Sequence, residues 1–107
     1  MPKYLLHASY TAEGLRGLIK DTASGRKAAV QKGIKSAGGK LEAMYYCFGE
    51  DDLVIIADLP DNTAAAAVSI TVAASGLVNT RVTPLLTVEE IDKAVKAKTK
   101  YRAPGAK

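Results

Sequence analysis

Residues Leu41–Leu59 read LEAMYYCF-GEDD-LVIIADL, two strand-length apolar runs around a polar loop with Gly49 at its head. That pattern predicts two antiparallel strands joined by a short turn over Gly49–Asp52. The second run decides the architecture. Leu53, Val54, Ile55, Ile56 and Ala57 are apolar without a break, which predicts a central strand covered on both faces. The helices of the same chain supply one cover. The second has to come from elsewhere, because 107 residues build one domain with a single two-layer core.

On the N-terminal side, Gly38-Gly39 ends a helix that opens at Ser24 or Gly25 and carries Val30, Ile34 and Ala37 as a narrow apolar stripe. Asp21–Gly25 reads as a break. Before it, Thr11 caps a short helical turn with Leu15, Leu18 and Ile19. Lys3–Tyr10 alternates as a strand, with Tyr4, Leu6, Ala8 and Tyr10 on one face and Leu5, His7 and Ser9 on the other. Both sets are partly apolar, so this strand is also predicted to be central.

On the C-terminal side, Pro60 stops the ladder and Asp61 is an N-cap. An alanine-rich helix follows over Asn62–Ser75, expected to face the sheet with Ala64, Ala67, Val68, Thr71 and Val72. Leu77–Leu86 is the fourth strand, and Pro84 puts it at an edge. Thr87-Val88-Glu89-Glu90 fits a capping box, so a last helix carries Ile91, Ala94 and Val95. The order is β-α-β-β-α-β plus a terminal helix. This is an α+β, ferredoxin-like βαββαβ arrangement with a four-stranded antiparallel sheet. Its domain is expected over 1–98, with a basic tail over 99–107 that is flexible or docked on a partner. Helices on one face and apolar residues on both predict a homodimer with two sheets face to face, or a higher oligomer built from it.

The net charge of +4 is concentrated at one end. Residues 93–107 hold six basic residues and no acid, so residues 1–92 carry nine basic and eleven acidic residues. A slightly acidic body, with no aromatic in Leu53–Leu59, speaks against a nucleic-acid-binding sheet. No stretch has the length of a membrane span, and the start MPKYLLHASY has too short an apolar run for a signal peptide. A cytoplasmic setting is the expectation. The single Cys47 makes no internal disulfide and is expected as a small buried hydrophobe.

Three stretches resemble the GYD-domain proteins, small bacterial members of the dimeric α/β-barrel group. They are MPKYLLHASYTAEGLRGL, GGKLEAMYYCFGEDDLVIIADLPDN, and VTPLLTVEEIDKA with its YRAPG tail. The turn that names the family runs glycine-x-tyrosine-aspartate. Gly49 and Asp52 match it, and Asp51 stands where the tyrosine would be. The resemblance implies a ferredoxin-like protomer and a dimer, and its wider fold relatives include cofactor-free monooxygenases, haem-binding enzymes and plain ligand binders.

No nucleophile elbow, zinc pair or phosphate loop is present, and no cofactor or metal is expected. Candidate site residues are therefore chosen by face. His7 is the sole histidine and is suited to act as a base or a haem ligand, or to sit hydrogen-bonded in an interface. Asn79 and Arg81 share a face of the fourth strand, and Arg81 suits a clamp on a carboxylate or phosphate or, as the favoured reading, a salt bridge within the chain or between subunits. Tyr45 and Tyr46 point to opposite faces; Tyr46 is taken as the pocket-lining one. Glu50, Asp51 and Asp52 read as a solvated acidic turn, with Asp52 accepting backbone N–H bonds within it. The function expected is a homodimer that holds a small organic ligand between its sheets. The alternative is a cofactor-free monooxygenase-like enzyme, or haem binder, using His7.

Overall fold

The structure, a computed structural model, describes residues 1–106. Lys107, the last residue of the expected tail, lies outside the described residues. The elements are β1 (Lys3–Tyr10), α1 (Ala12–Ser36), β2 (Lys40–Tyr46), β3 (Leu53–Asp58), α2 (Asn62–Ala74), β4 (Val78–Leu85) and α3 (Val88–Lys96). The strands form one antiparallel sheet in the order β2-β3-β1-β4. The fold is the ferredoxin-like α+β arrangement. The two strands with apolar residues on both faces, β1 and β3, are the central pair, and Pro84 lies on edge strand β4.

The core lies between the sheet and helices α1 and α2. Tyr4, Leu6 and Ala8 of β1 and Leu53, Ile55 and Ala57 of β3 are buried, closed over by Ile34 of α1 and Ala65 of α2. Tyr4 keeps its hydroxyl satisfied in this core by donating to Asn62 Oδ1 at 2.6 Å. Gly38 adopts φ 85° after the last turn of α1, the left-handed residue that glycine supplies without steric cost. A Cβ on Gly39 would run into the backbone oxygen of Asp58, and would lie 2.6 Å from Leu59 Cδ2. The end of α1 is therefore pressed against the end of β3.

One local expectation holds and three are corrected. The break expected over Asp21–Gly25 is present: α1 is two helical segments meeting at a kink, where Thr22 is non-helical (φ 68°, ψ 165°). Thr22 Oγ1 accepts from Gly25 N at 3.3 Å and restarts the helix. The face of α2 that meets the sheet carries Ala65, Val68, Ser69 and Val72, while Ala67 and Thr71 are exposed. A helix apolar nearly all round holds no directional signal, so packing sets its rotation. Strand β2 ends at Tyr46, leaving Cys47 exposed in a longer loop. The Asp52 carboxylate accepts from Tyr10 N of β1 and not from its own turn, as described below.

The capping box of α3 is present. Glu90 N donates to Thr87 Oγ1 at 3.0 Å, and Thr87 N donates to Glu90 Oε1 at 3.0 Å. No residue of α3 is buried. The molecule measures 60 × 31 × 22 Å with a radius of gyration of 17.3 Å, against about 13 Å for a compact chain of this length. The C-terminal segment stands off the body as an arm.

Candidate functional site

The site forms where the β2–β3 loop folds over the end of β1. Asp52 N donates to Ala8 O at 2.9 Å, and Tyr10 N donates to Asp52 Oδ2 at 2.7 Å. These two bonds lash the loop to the neighbouring strand and satisfy backbone groups beyond the end of the β1–β3 ladder. The Asp52 carboxylate thus binds another strand, while the Asp52 carbonyl accepts from Cys47 N at 2.8 Å across the loop. The lashing fixes Asp51, the next residue back, over the sheet face that the helices leave bare.

There Asp51 gathers three side chains. Its Oδ2 lies 3.0 Å from His7 Nδ1 and 2.9 Å from Arg81 Nη2, and its Oδ1 accepts from Ser9 Oγ at 3.4 Å. His7 and Arg81 are directly opposed in the β1–β4 register, which brings both within reach of one carboxylate. Burial is graded across the cluster: the side chains of Asp51, His7 and Arg81 are 17%, 23% and 63% exposed. Asp51 and His7 are the shielded pair, and Arg81 reaches into solvent. His7 Nδ1 is itself buried and has no aligned hydrogen bond, despite its short distance to the carboxylate. With Asn79 and Glu50 these groups line an open basin of about 290 Å³.

The chemistry available follows from the inventory. His7 Nδ1 lies 3.0 Å from the Asp51 carboxylate without an aligned hydrogen bond, so the two make a close contact and not an oriented bond. Arg81 uses one nitrogen on Asp51 and keeps further donors in a planar fork for an acceptor group. No group of side chains suited to hold a metal ion occurs among the described residues.

His7, Asn79 and Arg81 come together here. Tyr46 does not join them. It pairs with Leu53, on the face covered by the helices, and Tyr45 pairs with Val54 on the site face. A β-bulge between Leu41 and Ala43 is the reason: one extra residue reverses the alternation of everything after it. Tyr46 lies instead by Tyr10, where burial first, and then a hydrogen bond with Tyr10, raise its hydroxyl pKa well above the ordinary phenol value; Arg26 opposes this. Sequence reasoning missed Asp51 and Ser9. The signal was available in Asp51 itself, the one residue departing from the turn pattern.

The helix side has its own cavity, about 130 Å³ between α1 and α2 over Leu6, Ala8, Leu53 and Ile55. Its lining is apolar apart from Tyr10, Arg26 and Thr80, and it brings no carboxylate together with a histidine or an arginine.

The GYD domain model matches residues 4–95. The chain belongs to the GYD domain family. The match runs from the start of β1 almost to the end of α3, so the whole sheet and the loop that carries Asp51 fall inside the GYD domain. Neither a curated protein nor a solved structure matches the chain. No helix among the described residues of this GYD domain is long and apolar enough to cross a membrane.

Proposed function

We propose that this GYD domain is a ligand-binding homodimer whose two bare sheet faces meet and enclose a small organic molecule beside the His7–Asp51–Arg81 cluster. The observation that carries it is that cluster: a shielded histidine–carboxylate pair and a half-free guanidinium on a sheet face that also presents Leu5, Val54 and Ile56. Apolar walls with a few convergent polar groups are what a small-molecule site requires. The free donors of Arg81 select a ligand with a carboxylate or phenolate head. Pairing two such faces also removes the water from Leu5, Val54 and Ile56.

The test is a thermal-shift screen of the full chain against small organic acids, phenols and haem, repeated on Arg81→Met. The expected result is a rise in melting temperature with at least one acid or phenol, lost in the variant. Stabilisation by none of these compounds would overturn the ligand reading. Sedimentation at micromolar concentration checks the dimer.

The His7–Asp51 contact supports one second reading, a cofactor-free oxygenase in which His7 takes a proton from an activated phenol. A carboxylate 3.0 Å from an imidazole nitrogen is placed to orient a base once the two groups align. Turnover unchanged in His7→Ala would sink it.

A further inference from the structure

We infer that the C-terminal arm, residues 86–106, docks on the β2–β3 hairpin of a second copy of the chain. This rests on the homodimer reading above and names a contact which that reading lacks.

The arm is built to be covered. Val88, Ile91 and Val95 recur at i, i+3 and i+7, one side of α3, and all three are exposed. Leu86 before the helix and Tyr101 after it are exposed as well. A helix of nine residues is too short to hold together in water by its own hydrogen bonds, so its stability has to come from packing an apolar face. The capping box specifies the helix start, and none of the described residues of the same chain buries its stripe.

The hairpin has the complementary surface. Phe48 is 98% exposed at its tip and Tyr45 is 69% exposed on β2. Residues 40–61 carry six acids and one lysine, and residues 93–102 carry five basic residues and no acid. Lys3, bonded to Glu42 and Asp58, and Arg81, bonded to Asp51, offset part of the hairpin charge without reversing it.

The topology separates these two surfaces within one chain. β2 and β4 are opposite edges of the sheet. The arm leaves from Leu85, which lies in register with Lys3, while the hairpin loop is lashed to the Ala8–Tyr10 end of β1. Strand spacing and rise put these corners roughly 30 Å apart. The arm extends away from its own body, which accounts for the 60 Å long axis. A two-fold axis lying between the paired sheets and perpendicular to this diagonal would bring the partner's hairpin corner to this arm.

The native Cys47, exposed next to Phe48, provides the test. The full-length wild type, whose single thiol is Cys47, is mixed with full-length Cys47→Ser/Ala94→Cys, whose single thiol is on α3. The mixture is oxidised mildly, and the linkage is mapped by peptide mass spectrometry. The expected result is a disulfide between Cys47 of one chain and the introduced thiol of the other. Ile91→Asp in the second chain should cut its yield about tenfold, the scale of a lost interface anchor. Sedimentation of the unmodified chain separates two kinds of failure. A dimer that gives no such linkage overturns the arm contact and leaves the sheet pairing standing. A monomer overturns both. In a separate Ala94→Cys chain that keeps Cys47, a disulfide formed only within one chain would place the arm on its own hairpin and also refute the inference.

Discussion

The two faces of the sheet are made from the same strands and have opposite characters. On the helix side Leu6, Ala8, Leu53, Ile55 and Ala57 are buried, and no polar or charged residue is fully buried among the described residues. On the bare side their immediate neighbours Leu5, His7, Val54 and Ile56 are half-buried and alternate with charged groups. Lys3 Nζ sits between Glu42 and Asp58 at 2.8 and 2.9 Å. The hydrogen bond to Glu42, and then that to Asp58, raise its ammonium pKa above the ordinary value. One face is a finished core. The other combines apolar patches with paired charges and has no helix of the same chain over it. Burial alone does not separate structural from functional residues here; the company each residue keeps does.

The largest effect expected sharpens that contrast. Ile55→Ala should cost about 2–5 kcal/mol at any protein concentration, because it empties a filled core. Ile56→Ala, one residue on, should cost about 1 kcal/mol in dilute protein and more as concentration rises, if copies pair through that face. Urea unfolding at two concentrations a hundredfold apart reads both, and equal behaviour of the two variants would break the comparison. Next, Gly39→Ala should cost about 1–3 kcal/mol by overpacking. Its Cβ meets the Asp58 backbone and the Leu59 and Ile34 side chains, so this loss should be insensitive to concentration and to ligand.

The two neighbouring acids of the loop should divide in the same way. Asp52→Ala leaves Tyr10 N without its acceptor and should lower stability by about 1–3 kcal/mol. Asp51→Asn should change stability by about 1 kcal/mol or less, as expected for partly exposed pairs, yet abolish the thermal shift given by an acid or phenol. Loss of stability without loss of ligand response in Asp51→Asn would assign it a structural role instead.

The smallest effect concerns Tyr46 on the helix side. Its raised pKa means the folded protein holds the hydroxyl proton more tightly than the unfolded chain does. That contribution is fully present below the ordinary phenol value of about 10 and is lost as pH rises through the folded value. Tyr46→Phe should therefore flatten the fall in melting temperature above pH 10 and leave the neutral range nearly unchanged. An ultraviolet titration of the wild type checks the direction. A Tyr46 that ionises with the bulk of the tyrosines would contradict it.

Much of this was open to reading from local chemistry. The caps at Thr11, Asp61 and Thr87 each depend on a residue three positions on, and each forms. The unbroken run Leu53–Ala57 marks β3 as central because a strand's surroundings are written in its own side chains. The bent middle of α1 showed in the sequence as a break, though the reach of the helix up to Thr22 did not. Tyr46 escaped because the bulge at β2 has no sequence mark, and a single inserted residue reverses the faces beyond it.

The chain by itself determined the order of the elements, the ends of the helices and which two strands lie inside, since these follow from spacings of one to four residues. Only the tertiary structure decided the site. Asp51 stands 44 residues from His7 and 30 from Arg81, and no periodicity extends over such distances. They meet because β1 lies between β3 and β4, and because Asp52 ties the loop across its end. The bare apolar face and the exposed arm belong to the same level, because they are defined by which side chains the rest of the fold leaves uncovered.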